Sequence, residues 1–379
     1  MAERPWVAHL IVAAALLVVV AYQFAHRGAA ADIDTRYLYA AGRCLAQGAS
    51  PYNLDAFAGC WRAATGAEYQ SSFVFLPVAL LLAWPMGLME WAEARTFLQA
   101  VQVAAVGLLA LCLIRIARPL GVIAALWVAF GLTNTGVLGT IFVGQVGVVA
   151  TLGAALCAVA ALGGRGWWLV PGTVLATAKP HLTVLVVALC WLWRVRRHVA
   201  AKLVALGALA VLALALWTCD PQIVANYQAS FAEHVANPAS RIGRADELYG
   251  VNGLMKLMTG TQWVIAAVLL IAAGIASALP LSGHGGRLVA LIGLASVIGV
   301  MAFPHKGYDF VAYALTFSAA ARLPWAFQAA AVLPMLVVWR PQLVVKLGWP
   351  VIEFTDLCLI AVAVLFAGAA LRVPGIRRA

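Results

Sequence analysis

Apolar stretches separated by short polar breaks occupy most of the chain, at residues 8–26, 73–89, 95–114, 119–137, 141–163, 167–193, 200–217, 261–280, 287–303, 308–321, 325–340 and 355–372. A helix that crosses a bilayer needs roughly 20 such residues, so the pattern predicts an all-α polytopic membrane protein with about 10–13 transmembrane helices. The stretch 167–193 is too long for one simple span and is broken by "AKPHLT", which predicts two short helices that dip in and return. Glu3 and Arg4 precede the first run as they would in a signal peptide. No small-residue cleavage site stands out, however, and a retained first helix is expected. With the amino terminus in the cytoplasm, 73–89, 95–114 and 119–137 join two outside loops, which takes an even number of crossings. The run 73–89, which carries Pro77 and Pro85, is the one predicted to re-enter.

Two polar segments interrupt the apolar pattern, 27–72 and 218–260, and both are longer than a connection needs. Both fall on the outside in this topology. The stretch "ADIDTRYLYAAGRCLAQG" has the composition of a helix, with Asp32 and Asp34 near its start and Gly48 as its stop. Asp34, Tyr37, Leu38 and Ala41 then share one face. "GASPYN" reads as a turn, so a short helix lying at the membrane surface is expected.

Composition makes lipid the solvent for most of the chain. Of 379 residues, 64% are hydrophobic and 10% charged, against about 25% charged in soluble domains. The net charge of +11 does not point to nucleic acid, because the basic residues are dispersed in short loops. "RVRRHVAAK", "HGGR", Arg322 and the tail "RVPGIRRA" follow the positive-inside rule. Of 14 carboxylates, four lie in 27–72 and four in 218–256. Topology alone explains that asymmetry; so does chemistry on the acid-rich side. Seven cysteines show no metal-ligand spacing, and a disulfide between Cys44 and Cys60 in the first outer loop is left open. No P-loop, GxGxxG, HExxH or GxSxG is present, which leaves nucleotide-driven chemistry without support.

Several residues are candidates for chemistry. Asp34, beside a membrane-embedded cavity, would be desolvated enough to act as a base; the plainer reading is an acid stabilised at a helix start, and Asp32 shares it. Lys179 sits inside an apolar run, where a charge costs about 2.5–3.5 kcal/mol and must snorkel, pair or bind an anion. Pro180 breaks the helix beside it and frees backbone groups. Gln145 in "FVGQVG" is either a functional amide or an interhelical hydrogen bond. "FPHKGYDF" gathers His305, Lys306, Tyr308 and Asp309 in a very short loop, as a solvated turn or as the wall of a cavity. Arg241 and Arg244 in "SRIGRADELYGVNG" suit a phosphate clamp, or a patch touching lipid headgroups.

These motifs, in this order, resemble the membrane-embedded GT-C glycosyltransferases of family 87. Members carry a pattern like D-x-x-x-Y-Y-x-A-G and then L-x-G-x-x-P-Y after the first helix; here stand Asp34, Tyr37, Tyr39, Ala41 and Gly42, then Leu45, Gly48, Pro51 and Tyr52. The family's "YPP" is here "FVFLP", ending at Pro77. Its "GQVN" appears as Gly144-Gln145-Val146-Gly147, without the asparagine, and its "A-x-x-K-x-x-P" as Ala176 to His181. Asn252 stands where members have an N-x-S-like motif, and Phe303 to Asp309 resembles a late "SP…D" segment.

The resemblance implies a GT-C-type fold whose outer loops carry short interfacial helices, in one membrane-embedded domain over 1–379. It implies inverting transfer of a sugar, mannose before arabinose, from a polyprenyl-phosphate carrier to a glycolipid or cell-envelope glycan acceptor. Asp34 maps onto the catalytic base; Lys179, Arg241 and Arg244 would face the donor phosphate; Tyr37, Gln145, Asn252, His305 and Asp309 would hold sugar or acceptor. No cofactor is expected and no metal is required, since phosphate is already a leaving group; Asp32 with Asp34 stays open as a metal-binding alternative. The expected setting is a bacterial inner membrane, with the site facing outward among membrane lipids. A transporter or flippase of a lipid-linked sugar is the rival class, and it should show internal repeats, which this sequence lacks. A non-catalytic assembly subunit is a second rival.

Overall fold

In the computed structural model, residues 5–25, 32–68, 71–193, 198–236, 285–302, 307–341 and 351–372 are described. Arg241, Arg244, Asn252, His305 and the apolar run 261–280 lie outside them. The helices follow in chain order as α1 (Pro5–Ala25), α2 (Ile33–Ala46), α3 (Leu54–Thr65), α4 (Leu80–Gly87), α5 (Trp91–Ala117), α6 (Val122–Leu132), α7 (Thr135–Val143) and α8 (Gly147–Ala161). They continue as α9 (Leu169–Ala176), α10 (Pro180–Leu192), α11 (Val199–Cys219), α12 (Ile223–Ala236), α13 (Gly285–Ala302), α14 (Tyr313–Ala320), α15 (Trp325–Trp339) and α16 (Val351–Arg372). No strand occurs among the described residues. The protein is an all-α polytopic membrane protein.

Four helical stretches are long and apolar enough to cross alone: Trp6–Ala25, Trp91–Ala117, Val122–Val143 and Val199–Cys219. Their outer faces carry bare large apolar side chains such as Leu17, Leu111 and Val211, as a lipid solvent allows. The run 73–89 makes only a 3-10 turn and α4, Pro77–Gly87 in all. At 1.5 Å per residue, eleven residues rise about 16 Å, half of a bilayer core, so this segment does not cross as a simple span.

Breaks in the helices are made good by side chains. Between α6 and α7, Asn134 donates to the Gly131 carbonyl at 2.7 Å and accepts from the Val137 N–H at 3.0 Å. The run 167–193 splits into α9 and α10, as two helices were expected there. Pro180 opens α10, where its missing N–H costs nothing. The Thr183 hydroxyl reaches back to the Ala176 and Lys179 carbonyls at 2.8 and 3.1 Å. One difference concerns 141–163: this apolar run spans a helix end, because Gly144 turns the chain at φ 75 before α8 begins. Its last residues belong to α8, its first to α7.

Two separate cores result. The larger joins α1, α5 to α10 and α13 to α16. The smaller lies under the first polar segment and packs α2, α3 and α4 around Tyr52, Phe57 and Phe73. Here α2 crosses α4 backbone to backbone: a Cβ on Gly42 would overlap the Ala83 carbonyl oxygen, and one on Gly87 would overlap Gly42. Cys44 and Cys60 form a disulfide that ties α2 to α3.

Candidate functional site

Pro180 and the break before it bring Lys179 to the start of α10, and the 3-10 turn Gly307–Ala312 brings Asp309 against α7, α8 and α10. The Lys179 ammonium there forms an ion pair with Asp309 and donates to Gln145 Oε1. All three residues are buried, at 8%, 5% and 5% exposure. Three residues singled out from separate motifs, 34 to 164 positions apart along the chain, therefore meet as one cluster. The cost of a charge in an apolar interior explains the pairing: each ion neutralises the other, and the amide supplies a further acceptor. The Lys179 charge is thus engaged by a carboxylate and an amide within the protein.

The loop carrying Gln145 is held from behind by Gln102 of α5, whose Nε2 donates to the Gln145 and Thr140 carbonyls at 3.1 and 3.4 Å. From the front it meets the first turn of α2. Thr35 lies so close to Gly144 that a Cβ there would overlap its hydroxyl. The N–H of Asp32 donates to the Phe142 carbonyl at 3.2 Å, and Asp32 pairs with Arg95 of α5 at 2.7 Å. Burial raises the Asp32 carboxyl above the usual range, while Arg95 and Arg36 draw it back. Asp34, half-buried, immediately precedes Thr35 in this turn.

Tyr37, one turn along α2, faces the second polar segment. Its hydroxyl is hydrogen-bonded to Ser71, and burial with the charges of Asp34 and Glu233 pushes it up to about 12. It remains a neutral phenol at physiological pH. Ser71 and Ser72 bind α12: the Ser71 hydroxyl meets His234 Nδ1 at 2.7 Å, and the Ser72 N–H donates to Glu233 at 3.1 Å. The Ser230 hydroxyl donates to the Tyr52 carbonyl at 2.8 Å, and the Tyr52 ring meets Tyr227 at 5.4 Å. The two polar segments read separately from the sequence are therefore packed on each other. The charges of Asp34 and Glu233, one from each, both act on Tyr37.

Four of these residues were not singled out from the sequence: Arg95, Gln102, Glu233 and His234. Arg95 and Gln102 had a readable signal, two polar residues seven apart on one face of the apolar α5. Glu233 and His234 had none beyond lying in an acid-rich loop. Among the described residues, no group of three His, Cys, Asp or Glu side chains is placed to hold a metal ion, and the Asp32 carboxylate pairs with Arg95.

The profile of glycosyltransferase family 87 matches residues 73–304, more than half of the chain. That segment contains Gln145, Lys179, Arg241, Arg244 and Asn252; Asp34, Tyr37, His305 and Asp309 lie outside it. No curated protein and no solved structure matches the chain.

Proposed function

The chain belongs to glycosyltransferase family 87, and we propose that it is an inverting transferase using Asp34 as its base. The sugar, mannose before arabinose, comes from a polyprenyl-phosphate carrier and goes to a hydroxyl of a lipid-linked or cell-envelope acceptor. The observation that supports the reading is the docking of the α2 first turn, which carries the half-buried Asp34, onto the loop whose Gln145 is held by the paired Lys179.

In this mechanism the acceptor hydroxyl gives its proton to Asp34 as its oxygen attacks the anomeric carbon, and the lipid phosphate leaves from the opposite face. Positive groups stabilise the charge that grows on the phosphate. Lys179, with Arg241 and Arg244, takes that part, and Asp309 is its counter-charge within the protein. Tyr37, a neutral phenol, donates to a sugar or acceptor oxygen. Gln145, Asn252 and His305 hold further hydroxyls. The Cys44–Cys60 bridge supports an oxidising compartment for this loop, hence a site on the outer side of a bacterial inner membrane.

Purified protein in detergent, labelled polyprenyl-phosphate mannose and a lipid extract as acceptor test the reading. Transfer by the wild type that disappears in Asp34→Asn supports it. Movement of the carrier across a membrane without transfer would favour the flippase, and transfer undiminished in Asp34→Asn would remove Asp34 as base.

A further inference from the structure

Asp32 is held in a way that a helix cap does not require. Asp is a preferred cap, yet this one makes no side-chain hydrogen bond to the turn it precedes. Its backbone sits at φ 75, in the left-handed region. Residues other than glycine hold such a conformation at a cost, and only where their surroundings over-determine it. The N–H is bonded to Phe142, the carbonyl accepts from the Arg36 N–H at 3.0 Å, and the carboxylate turns to Arg95. The residue is 7% exposed.

On the reading of Asp34 as base, we infer that Asp32 is a positioning residue, whose ion pair with Arg95 fixes where the Asp34 carboxylate stands. The chain can leave Asp32 in few directions, so the first turn of α2 has one placement against α5 and α7. Thr35 locks that placement against Gly144.

The pair also cancels charge beside the base. Arg36 on α2 and Arg95 on α5 face Asp32, and α7 offers it a carbonyl. The charges of Asp34 and of Glu233 on α12 both act on Tyr37, and His234, beside Glu233, meets Ser71. Lys179 and Asp309 form a neutralised pair that also engages the Gln145 side chain. Removing either member of the Asp32–Arg95 pair exposes Asp34 to the other. An uncompensated Arg95 favours the Asp34 carboxylate, and an uncompensated Asp32 disfavours it.

Asp32→Asn keeps shape and tolerates the left-handed backbone; Arg95→Gln removes the partner. With labelled polyprenyl-phosphate mannose and a lipid extract as acceptor, each variant should lose about 10–100-fold in kcat through misplacement of the base, with donor KM within about twofold because donor contacts are retained. The acid limb of the kcat profile should move in opposite directions, about half a pH unit down in Asp32→Asn and up in Arg95→Gln, as for one unit charge in a water-like medium. The double variant should return the limb to its wild-type position, and Arg95→Lys should restore part of kcat. A structural role alone would shift neither limb. Limbs that stay put or move together, or a loss carried wholly by KM, overturn the assignment while Asp34→Asn remains inactive. Full activity in Asp34→Asn overturns the base reading and this inference with it.

Discussion

The Gln145–Lys179–Asp309 cluster and the Asp34–Tyr37–Glu233 rim adjoin each other through Thr35 and Gly144, yet they solve opposite problems. In the cluster, a cation, an anion and an amide are buried together and neutralise one another. In the rim, the negative charges of Asp34 and Glu233 both act on a phenol, and all three are half-buried. Burial sets the difference. Inside the bundle a charge without its partner is costly, so the cluster works as a fixed unit. At the edge, water and arriving substrate can meet a carboxylate, and proton transfer becomes available to it. Stability should therefore depend mainly on the cluster, through which Lys179 also bears on turnover in the proposed mechanism, while the rim bears mainly on turnover.

The sharpest test of that division is at the rim. Asp34→Asn should lower transfer by about 10²–10⁴-fold, the usual reach of a general base, with an unchanged thermal midpoint in detergent. A fall in the midpoint as large as that of a core variant would blur the comparison. The cluster should behave in reverse. Lys179→Ala removes the cation paired with buried Asp309, and should cost about 3–5 kcal/mol of stability, read as loss of folded protein on heating. Lys179→Met combined with Asp309→Leu should regain a large part of it, which a phosphate-binding role alone does not predict.

Between the two regions stands the cap that carries the rim. Cys44→Ser with Cys60→Ser opens a loop of 16 residues, worth about 3 kcal/mol in the chain-entropy account; the midpoint and the resistance of α2–α3 to protease report it. Gly42→Ala should cost about 1–3 kcal/mol as an overpacked contact and should also reduce turnover, since α2 must move away from Ala83. Wild-type turnover in that variant would separate the α2–α4 crossing from the chemistry.

The smallest effect concerns Tyr37. Its hydroxyl holds its proton up to about 12, above the ordinary tyrosine value of about 10. A raised folded value means stability that is whole below the unfolded value and is lost as pH rises through the folded one. Tyr37→Phe should flatten that alkaline loss between about pH 10 and 12, followed by thermal midpoint against pH, with no change near neutrality from this ionisation.

Much of this was legible before any coordinates. Long apolar runs can only be helices in lipid, because a spanning backbone must satisfy its own hydrogen bonds, and so the all-α membrane class followed from hydropathy. Pro180 marked the α9–α10 break and Pro77 the segment too short to cross. Lys179 announced itself by its cost, since a charge in an apolar run demands a partner. What hydropathy does not carry is the identity of that partner. Asp309 lies 130 residues downstream of Lys179, and nothing local to either residue names the other. Glu233 and His234 likewise acquire meaning only when α12 folds back onto Ser71 and Ser72. Local propensity is written in neighbouring residues, and the sequence alone determined the all-α class, the long apolar helices and the break before α10, but not the helix end at Gly144. Contacts between distant segments depend on how those helices close-pack. Only the tertiary structure decided that Asp32 pairs with Arg95, that the charges of Asp34 and Glu233 both act on Tyr37, and that Lys179 pairs with Asp309.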